Sequence, residues 1–192
     1  MGLIEDLSAG LASRPRRVIG RELRAAVLVP IVDDGGPERL ILTRRSDDLP
    51  THQGQVAFPG GYIKEGEGPE ATALREAKEE IGLPPTAVQV VGLLDDFCTW
   101  DDTVAVTSVA CRIGILPPLV AEPAEVARVF EIPVAALARP QGWTWMPNPV
   151  SESPARLWYF EHDGETLWGL SARIVISMLE RAGLPSPRPG SS

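Results

Sequence analysis

The sequence predicts a single α/β domain in which β-rich segments lie on both sides of one acidic helix. The chain has 192 residues, enough to bury a core without disulfides or structural metals. Strand-like segments precede and follow the helix, and the sequence contains neither internal repeats nor a linker between two cores. We therefore predict one domain over residues 1–184, with residues 1–22 as an N-terminal addition and residues 185–192 as a disordered tail.

Residues 3–12 are predicted to form a short helix, because Leu3, Leu7 and Leu11 fall on one side of it. A basic segment follows at residues 14–24. It carries five arginines, which are Arg14, Arg16, Arg17, Arg21 and Arg24. Such a segment can hold a phosphorylated small ligand or remain solvated, and solvation is the favoured interpretation.

Two strands are predicted next, in the segments ELRAAVLVPIV (22–32) and RLILTRR (39–45). The glycines and proline of DDGGPE, between them, indicate a turn. Residues 54–63 are rich in glycine and predict a loop with a short strand.

Beyond the central helix the chain is β-rich again. Strands are predicted in AVQVVGLL (87–94), TVAVTSVACRIGIL (103–116) and EVARVFEIPV (125–134). The segment RLWYFEHDGETLWG predicts a hairpin with its turn at residues 162–164. The segment LSARIVISMLERAG predicts an amphipathic helix, which Gly183 and Pro185 terminate.

The central helix is predicted within GPEATALREAKEEIGLPP, residues 68–85. Pro69 suits the first turn, and Glu70 favours the positive end of the helix. Gly82 can adopt the left-handed conformation after the last turn, and Pro84 prevents continuation. The predicted apolar side carries Ala71, Leu74, Ala77 and Ile81, and the other side carries Glu76, Glu79 and Glu80.

These three carboxylates are unusually crowded. Glu76 is a helical neighbour of both Glu79 and Glu80, and each like-charged pair costs about 0.2–0.5 kcal/mol. A solvated acidic face, partly neutralised by neighbouring basic side chains, is one interpretation. A cation site is the other, because the glycine-rich loop at residues 58–68 can present bare carbonyl oxygens and N–H groups to a cation or a phosphate. Mg²⁺ prefers oxygen ligands of this kind.

The residues around the helix resemble the Nudix box, GX5EX7REUXEEXGU, in which U is a bulky aliphatic residue. Gly61, Glu67 and residues 75–83 match the pattern, and Ala77, at the first U position, is the one departure. The resemblance implies an α/β/α sandwich around a mixed β-sheet with a loop-helix-loop catalytic motif. It also implies hydrolysis of a nucleoside diphosphate linked to another group, with Mg²⁺ or Mn²⁺ as cofactor.

The same resemblance implies roles for individual residues. Metal binding is assigned to the carboxylates of Glu76, Glu79 and Glu80 and to the carbonyl of Gly60. Glu67 and Arg75 match a pair that braces the loop and the helix without binding metal. The catalytic base that accepts the proton of the attacking water is Glu79, Glu76 or a glutamate outside the box. Glu125 is the candidate outside the box, and it could equally be a surface residue before a strand.

A second stretch, LILTRRSDDLPTHQGQVAFPGG at residues 40–61, resembles the signature LLTxRSxxxRxxxGxxxFPGG of the coenzyme A pyrophosphatase branch. The matching residues are Leu42, Thr43, Arg45, Ser46, Gly54, Phe58, Pro59, Gly60 and Gly61. Ile41 replaces a leucine, and Pro50 stands where the signature has an arginine. The resemblance implies coenzyme A or its acyl derivatives as substrate. Because Pro50 departs from the signature, ADP-ribose, NADH, dinucleoside polyphosphates and nucleoside triphosphates remain alternative substrates. A nucleotide-sensing domain without catalytic activity is a further alternative.

Substrate contacts are predicted for Arg45, His52 and Phe58. Arginine can bind phosphate in bidentate fashion, and because successive strand residues point to opposite faces, Arg45 is preferred over Arg44. His52 can contact a phosphate or organise its own loop. Phe58 can stack on a base, although core packing is the more common place for such a ring. The strand-like QGWTWMP at residues 141–147 puts two tryptophans on one face, which could wall a pocket or a dimer contact.

Charge and composition disfavour several classes of protein. The net charge of −8 and the pI near 4.8 disfavour general nucleic-acid binding, which needs a basic surface. No segment has the layout of a signal peptide, and the longest apolar run, at residues 25–32, is too short to span a bilayer. Cys98 and Cys111 lie far apart, without zinc-site spacing. We expect a cytoplasmic protein that binds a small-molecule nucleotide, with no nucleic-acid or membrane partner, and the resemblance alone suggests a homodimer.

Overall fold

The computed structural model describes residues 2–147 and 156–188, with strands before and after a central helix as predicted. The helices are α1 (Leu3–Ser13), α2 (Pro69–Ile81), α3 (Val134–Leu137) and α4 (Gly169–Arg181). The strands are β1 (Leu23–Val32), β2 (Arg39–Arg45), β3 (Val56–Ala57), β4 (Gly60–Tyr62), β5 (Gln89–Leu93), β6 (Phe97–Cys98), β7 (Val104–Ile113), β8 (Val126–Pro133), β9 (Trp143–Pro147), β10 (Arg156–His162) and β11 (Glu165–Trp168). Every predicted helix and long strand is therefore present, with ends shifted by a few residues at most.

The described strands form an eight-stranded mixed sheet and a three-stranded antiparallel sheet. In the larger sheet β1 runs parallel to β7, and the other pairings are antiparallel. One edge of β1 pairs with β2 and β4, and β2 in turn pairs with β3 and β8. The smaller sheet has the order β11-β10-β9. The mixed sheet and the predicted α/β class are confirmed.

Helices cover both faces of the mixed sheet. Ala26 and Leu28 of β1 pack in the core beneath α2, whereas Val29 and Ile31 pack in the core with α1 and α4. This division follows from the alternation of side chains along a strand. It also explains why β1 reads as an almost continuous apolar run, since both of its faces are buried.

The boundary signals of α2 act as predicted. Pro69 occupies the first turn, and Gly82 adopts the left-handed conformation with φ of +68°. The Gly82 N–H donates to the carbonyl of Lys78 at 3.1 Å, and the Leu83 N–H donates to the carbonyl of Ala77 at 3.3 Å. These bonds satisfy carbonyls that the helix end would otherwise leave without partners.

The basic segment is largely solvent-exposed, as the favoured interpretation predicts, but several of its arginines also bind acidic residues of the protein. Its residues 14–19, which we call the N-terminal strap, contact Asp95 and Asp96 between β5 and β6. Arg14 and Arg16 form ion pairs with Asp95 and Asp96 at 3.0 and 2.5 Å. The Arg17 N–H donates to Asp95 at 2.6 Å, and the Asp96 N–H donates to the Arg17 carbonyl at 2.9 Å. Two adjacent aspartates therefore hold the strap by side-chain and main-chain bonds.

The same acidic pair anchors the end of α4. Arg181 donates to Asp95 at 2.6 Å and to the Arg14 carbonyl at 3.0 Å, and its side chain is 2% exposed. The predicted helix end is confirmed, because Gly183 has a φ of +68°. The predicted disordered tail is wrong for Ser186 and Pro187, which are buried, and residues 189–192 lie outside the described residues. The domain boundaries otherwise stay a prediction.

The hairpin is found where the sequence predicts it. His162 of β10 pairs with Glu165 of β11, and Asp163 and Gly164 between them both have positive φ angles. Two consecutive residues of positive φ produce a turn that matches the twist of the flanking strands. None of the helices in residues 2–147 and 156–188 has the length and apolar character needed to cross a membrane.

Candidate active site

Two consecutive glycines of β4 form the floor of the acidic cluster. A β-carbon on Gly60 would lie 2.4 Å from the carbonyl oxygen of Ala26, and one on Gly61 would lie 2.5 Å from Oε1 of Glu76. Real Cβ atoms essentially never approach so closely. Gly60 therefore lets β4 lie close to β1, whereas Gly61 leaves room for the Glu76 carboxylate.

Arg75 binds three glutamates at once. It donates two hydrogen bonds to the two oxygens of Glu67, at 2.8 and 2.9 Å. Its remaining terminal nitrogen donates to Glu76 at 2.6 Å and to Glu79 at 3.1 Å. A guanidinium presents its donors in a planar fork, so the Glu67 pair is bidentate and directional. The position between the loop and the helix is the one expected of a bracing pair.

Thr72 adds a contact that was not predicted. Its hydroxyl donates to Glu67 at 2.8 Å. Arg75 first, and Thr72 second, lower the pKa of Glu67 to about 2, because both stabilise the ionised carboxylate. The sequence signal for this hydrogen bond was a hydroxyl residue in the first turn of the helix, five residues after Glu67.

Glu80 lies on the buried side of α2, so the prediction that all three carboxylates face away from the core is wrong. Glu80 is 5% exposed, and the Gly60 N–H donates to its Oε2 at 3.3 Å. It follows Ala73 and Ala77 by seven and three residues, both of which are buried, and this spacing keeps the three on one helical face. Ala71, predicted on the apolar side, is exposed.

Burial and three charged neighbours determine the ionisation of Glu80. Burial raises the pKa of Glu80 to about 8, against the opposing effect of the Gly60 N–H. The negative charges of Glu125 and Glu76 raise it further, and the positive charge of Arg45 lowers it. Glu125 and Arg45 therefore lie close enough to Glu80 to act on its ionisation.

Arg45 lies close enough to the acidic cluster for its charge to act on Glu80, and its role in substrate binding stays a prediction. Its Nε is buried and has no hydrogen-bond partner within residues 2–147 and 156–188. The Ser46 N–H donates to the carbonyl of Glu125 at 2.9 Å, which holds the residues before β8 against the end of β2. This bond explains how Glu125, far from the box in sequence, reaches the acidic cluster.

Arg44 is engaged elsewhere. It donates to Asp47 at 2.8 Å and lies 3.8 Å from Glu165 of β11. The β2–β8 pairing has a register shift at this point, where Arg44 pairs with Arg128 and Arg45 with Val126. The preference for Arg45 over Arg44 agrees with this arrangement.

The other two predicted substrate contacts have different outcomes. His52 has a φ of +57°, and its Nδ1 lies 3.2 Å from Oε1 of Gln55, so its ring organises the local loop. A phosphate contact for His52 stays a prediction. Phe58 is 4% exposed and packs in the core with α1 and α4. Base stacking by Phe58 is therefore wrong, and the alternative of core packing is confirmed.

The two tryptophans of QGWTWMP are in different environments. Trp143 is 6% exposed, and its Nε1 donates to the carbonyl of Leu137 at 2.8 Å. Its ring centroid lies 5.1 Å from that of Phe160. Trp145 is 40% exposed. Trp143 is thus a core anchor with a satisfied indole N–H, whereas Trp145 keeps part of its surface exposed.

Comparison with known proteins identifies the family. The model of the NUDIX domain matches residues 22–152, well over half of the chain. The chain belongs to the Nudix family. Similar curated proteins include two described as uncharacterized Nudix hydrolase NudL. The protein of Photorhabdus laumondii is 36% identical over 171 residues, 87% of this chain and 89% of its own. The protein of Klebsiella pneumoniae is 37% identical over 177 residues, 90% of each chain.

Solved Nudix structures share the fold. A MutT/nudix family protein from Enterococcus faecalis gives a TM-score of 0.57 at 20% identity, covering 95% of this chain and 70% of that one. RenU, a Nudix hydrolase from M. smegmatis, gives a TM-score of 0.52 at 23% identity, covering 62% and 76%. Nudix hydrolases act on small nucleotide derivatives and generally use divalent metal ions. This protein is therefore a Nudix hydrolase.

The Nudix box residues fit a divalent cation in their chemistry. Carboxylate and carbonyl oxygens are the ligands that such cations prefer. Burial first, and the negative charges of Glu125 and Glu76 after it, raise the pKa of Glu80, and a bound cation would oppose these effects by favouring the ionised carboxylate. Within residues 2–147 and 156–188, no three acidic, histidine or cysteine side chains converge in a metal-binding arrangement, and Glu76 and Glu79 are paired with Arg75 instead. A cation would thus have to compete with Arg75 for these carboxylates.

Proposed function

We propose that this Nudix hydrolase cleaves the pyrophosphate bond of coenzyme A or of its acyl derivatives. The products are adenosine 3′,5′-bisphosphate and 4′-phosphopantetheine. The observation that carries the proposal is the signature-like stretch at residues 40–61, whose Arg45 acts on the charge of Glu80. The position of this arginine next to the Nudix box supports a phosphate group as its ligand.

Arg45 is the principal substrate-binding residue of the proposal. Its buried Nε has no partner among the described residues, and an unpaired buried donor is costly unless a ligand satisfies it. A guanidinium matches the oxygen geometry of phosphate. His52 contributes a second contact from the exposed loop, where Gln55 holds its ring.

Some of the acidic residues are proposed to bind metal, and Glu67 is proposed to position the loop and the helix. The proposed metal ligands are Glu76, Glu79, Glu80 and the carbonyl of Gly60. A bound Mg²⁺ or Mn²⁺ lowers the pKa of water and neutralises charge on the leaving oxygen. Glu67 and Arg75 orient the helix and the loop through their bidentate pair.

Three glutamates are candidates for the general base, namely Glu79, Glu76 and Glu125. Glu79 is the most accessible carboxylate of the box, with 55% of its side chain exposed. Glu76 is 14% exposed and is held by Arg75. Accessibility to water favours Glu79, because the base must contact the attacking water directly or through one other molecule.

The test is hydrolysis of coenzyme A followed by phosphorus-31 NMR or chromatography, with and without Mg²⁺ or Mn²⁺. Wild type should release adenosine 3′,5′-bisphosphate only with metal, and Glu79→Gln should lose this activity. Glu70→Gln is the matched control, since Glu70 is an exposed glutamate of the same helix. Intact coenzyme A after incubation with metal, under conditions where the protein is folded, contradicts the proposal.

A substrate panel separates the chemistry from the substrate. ADP-ribose, NADH, dinucleoside polyphosphates and nucleoside triphosphates should be cleaved more slowly than coenzyme A. Faster cleavage of one of these compounds would replace the proposed substrate and retain the reaction. Binding without turnover of any compound would point to a nucleotide-sensing domain.

We further propose a cytoplasmic enzyme that acts on small nucleotides rather than nucleic acid or membranes, and that forms a homodimer. The net charge of −8 supports the preference for small ligands over nucleic acid. Light scattering coupled to size-exclusion chromatography should give twice the chain mass of 20.7 kDa. A monomer mass at micromolar concentration would overturn the dimer.

A further inference from the structure

Two guanidinium groups share one aromatic ring on the face of the sheet opposite α2. The Cζ of Arg173, in α4, lies 4.7 Å from the ring centroid of Phe97. The Cζ of Arg17, in the N-terminal strap, lies 5.4 Å from the same centroid. Phe97 belongs to the core with α1 and α4 and is 9% exposed, so its ring is a fixed platform.

No carboxylate is bonded to either of these guanidiniums within the described residues. Arg17 donates to the main-chain oxygen of Asp96 at 3.1 Å, and Arg173 contacts the ring without a hydrogen bond to any described residue. Burial and the charge of Arg17 lower the pKa of Arg173, while nearby Cys98 raises it. Other arginines of this region, such as Arg14 and Arg16, have aspartate partners. What distinguishes Arg17 and Arg173 is that two guanidiniums without a bonded carboxylate lie over the same ring.

The pair lies at the same end of the sheet as the Nudix box. The strand registers place four residues in one row across β6, β7, β1 and β4, in the order Phe97, Val106, Ala25 and Tyr62. Three strand spacings separate the ends of this row, about 14 Å. Tyr62 follows Gly61, whose neighbour is the Glu76 carboxylate. The guanidinium of Arg173 is partly buried against the Phe97 ring, but the residue as a whole keeps an exposed surface that a ligand can contact.

We propose that Arg173 and Arg17 bind a phosphomonoester group of the substrate, separate from the pyrophosphate that is hydrolysed. Guanidinium groups bind phosphate through paired, charge-assisted hydrogen bonds, and two of them would offset the two charges of a phosphomonoester. The inference rests on the proposed function. Coenzyme A carries such a group at the ribose 3′ position, whereas ADP-ribose, NADH and simple dinucleoside polyphosphates do not.

Titration calorimetry of two nucleotides tests this site without requiring turnover. Wild type should bind adenosine 3′,5′-bisphosphate about ten- to a hundredfold more tightly than adenosine 5′-monophosphate, the range expected for hydrogen bonds to a charged group. Arg173→Gln should bring this ratio close to one, and Arg173→Lys should retain part of it. Arg139→Gln, at an exposed arginine of the loop after α3, is the matched control and should keep the wild-type ratio.

The ratio of the wild-type affinities for the two nucleotides tests the proposed site even if a variant does not fold. Equal affinity of wild type for the two nucleotides overturns the site, whether or not coenzyme A is cleaved. A preference that depends on Arg173, together with intact coenzyme A, would retain the site and overturn the proposed function. Inorganic phosphate is a third ligand, and Arg173-dependent binding as tight as that of the bisphosphate would show a site for free phosphate and overturn the substrate assignment.

The same contact should be visible in kinetics. The ratio of kcat/KM for coenzyme A to that for dephospho-coenzyme A should exceed one in wild type and fall towards one in Arg173→Gln. The difference should lie mainly in KM, because the phosphomonoester is not part of the reacting bond. A ratio of one in wild type contradicts the inference.

Discussion

Replacement of Gly61 by alanine is expected to damage catalysis without unfolding the protein. The new β-carbon would lie 2.5 Å from Oε1 and 2.6 Å from Cδ of Glu76. Ordinary contact begins at 3.4 Å, so the carboxylate must retreat by about 0.9 Å, and a displacement of about 1 Å at a reacting group can cost on the order of a hundredfold in rate. Because Glu76 is a flexible side chain, the folded state can absorb this movement. An alanine also restricts the unfolded chain, which stabilises the fold by about 0.4–1 kcal/mol where the backbone is unstrained.

The assay compares thermal melting with kcat/KM on coenzyme A for four proteins, which are wild type, Gly61→Ala, Gly60→Ala and Gly20→Ala. A β-carbon on Gly60 would meet main-chain atoms of Ala26 and Val27 at 2.4 and 2.7 Å, so Gly60→Ala should lower the Tm. A β-carbon on Gly20 has no atom within 4 Å, so that variant should resemble wild type. Wild-type kcat/KM in folded Gly61→Ala would refute a catalytic or ligand role for Glu76.

Three other perturbations have defined outcomes. Burial raises the pKa of Glu80 to about 8, so between about pH 5 and pH 8 the folded protein holds a proton that the unfolded chain releases. The metal-free protein should therefore become less stable as the pH rises from about 5 to about 8, which thermal melts would show. Glu80→Gln should remove this pH dependence. Arg75→Lys should lower kcat/KM by about 10- to 100-fold, since an ammonium group cannot form the bidentate bonds to Glu67. Asp95→Asn should lower the free energy of unfolding in urea by about 3–5 kcal/mol, because it leaves the buried Arg181 without its carboxylate.

Each of these outcomes has a control and a contrary result. A stability that does not change between pH 5 and pH 8 would mean that Glu80 is more hydrated than its 5% exposure indicates. Lys78→Gln, at an exposed residue of the same helix, should keep wild-type kcat/KM, and equal losses in both variants would exclude a specific role for Arg75. Asp47→Asn removes an exposed ion pair and should cost at most about 1 kcal/mol, so a similar cost for Asp95→Asn would show that its network is solvated.

The elements and the acidic box were predictable because their signals are local. Proline and glycine mark the ends of α2, and the hairpin turn follows from two residues that tolerate positive φ. The Nudix spacing identifies Gly61, Glu67 and Arg75 from the sequence alone. Each of these features depends on residues within a few helical turns of each other.

Long-range contacts explain what the sequence alone misjudged. Glu80 lies within the helical pattern of an acidic face, yet β4 approaches that position and buries it. The ion pairs of the strap were not predicted, because about eighty residues of sequence separate Arg14 and Arg16 from Asp95 and Asp96. Phe58 sits in a signature stretch, and only the packing of α1 and α4 assigns it to the core. Burial and distant partners are properties of the assembled sheet, which composition and periodicity do not describe.

The ion-paired strap also bears on the order in which the chain folds during synthesis. Arg181 donates to the carbonyls of Gly10 and Arg14, across 171 and 167 residues of sequence. Gly10 and Arg14 leave the ribosome before α4 and therefore cannot complete these contacts until α4 has emerged. We expect trypsin to cleave a chain that ends at residue 168 at Arg16 or Arg17, and to spare these bonds in the full chain. Contacts between α4 and the strap thus depend on segments that are synthesised far apart in time.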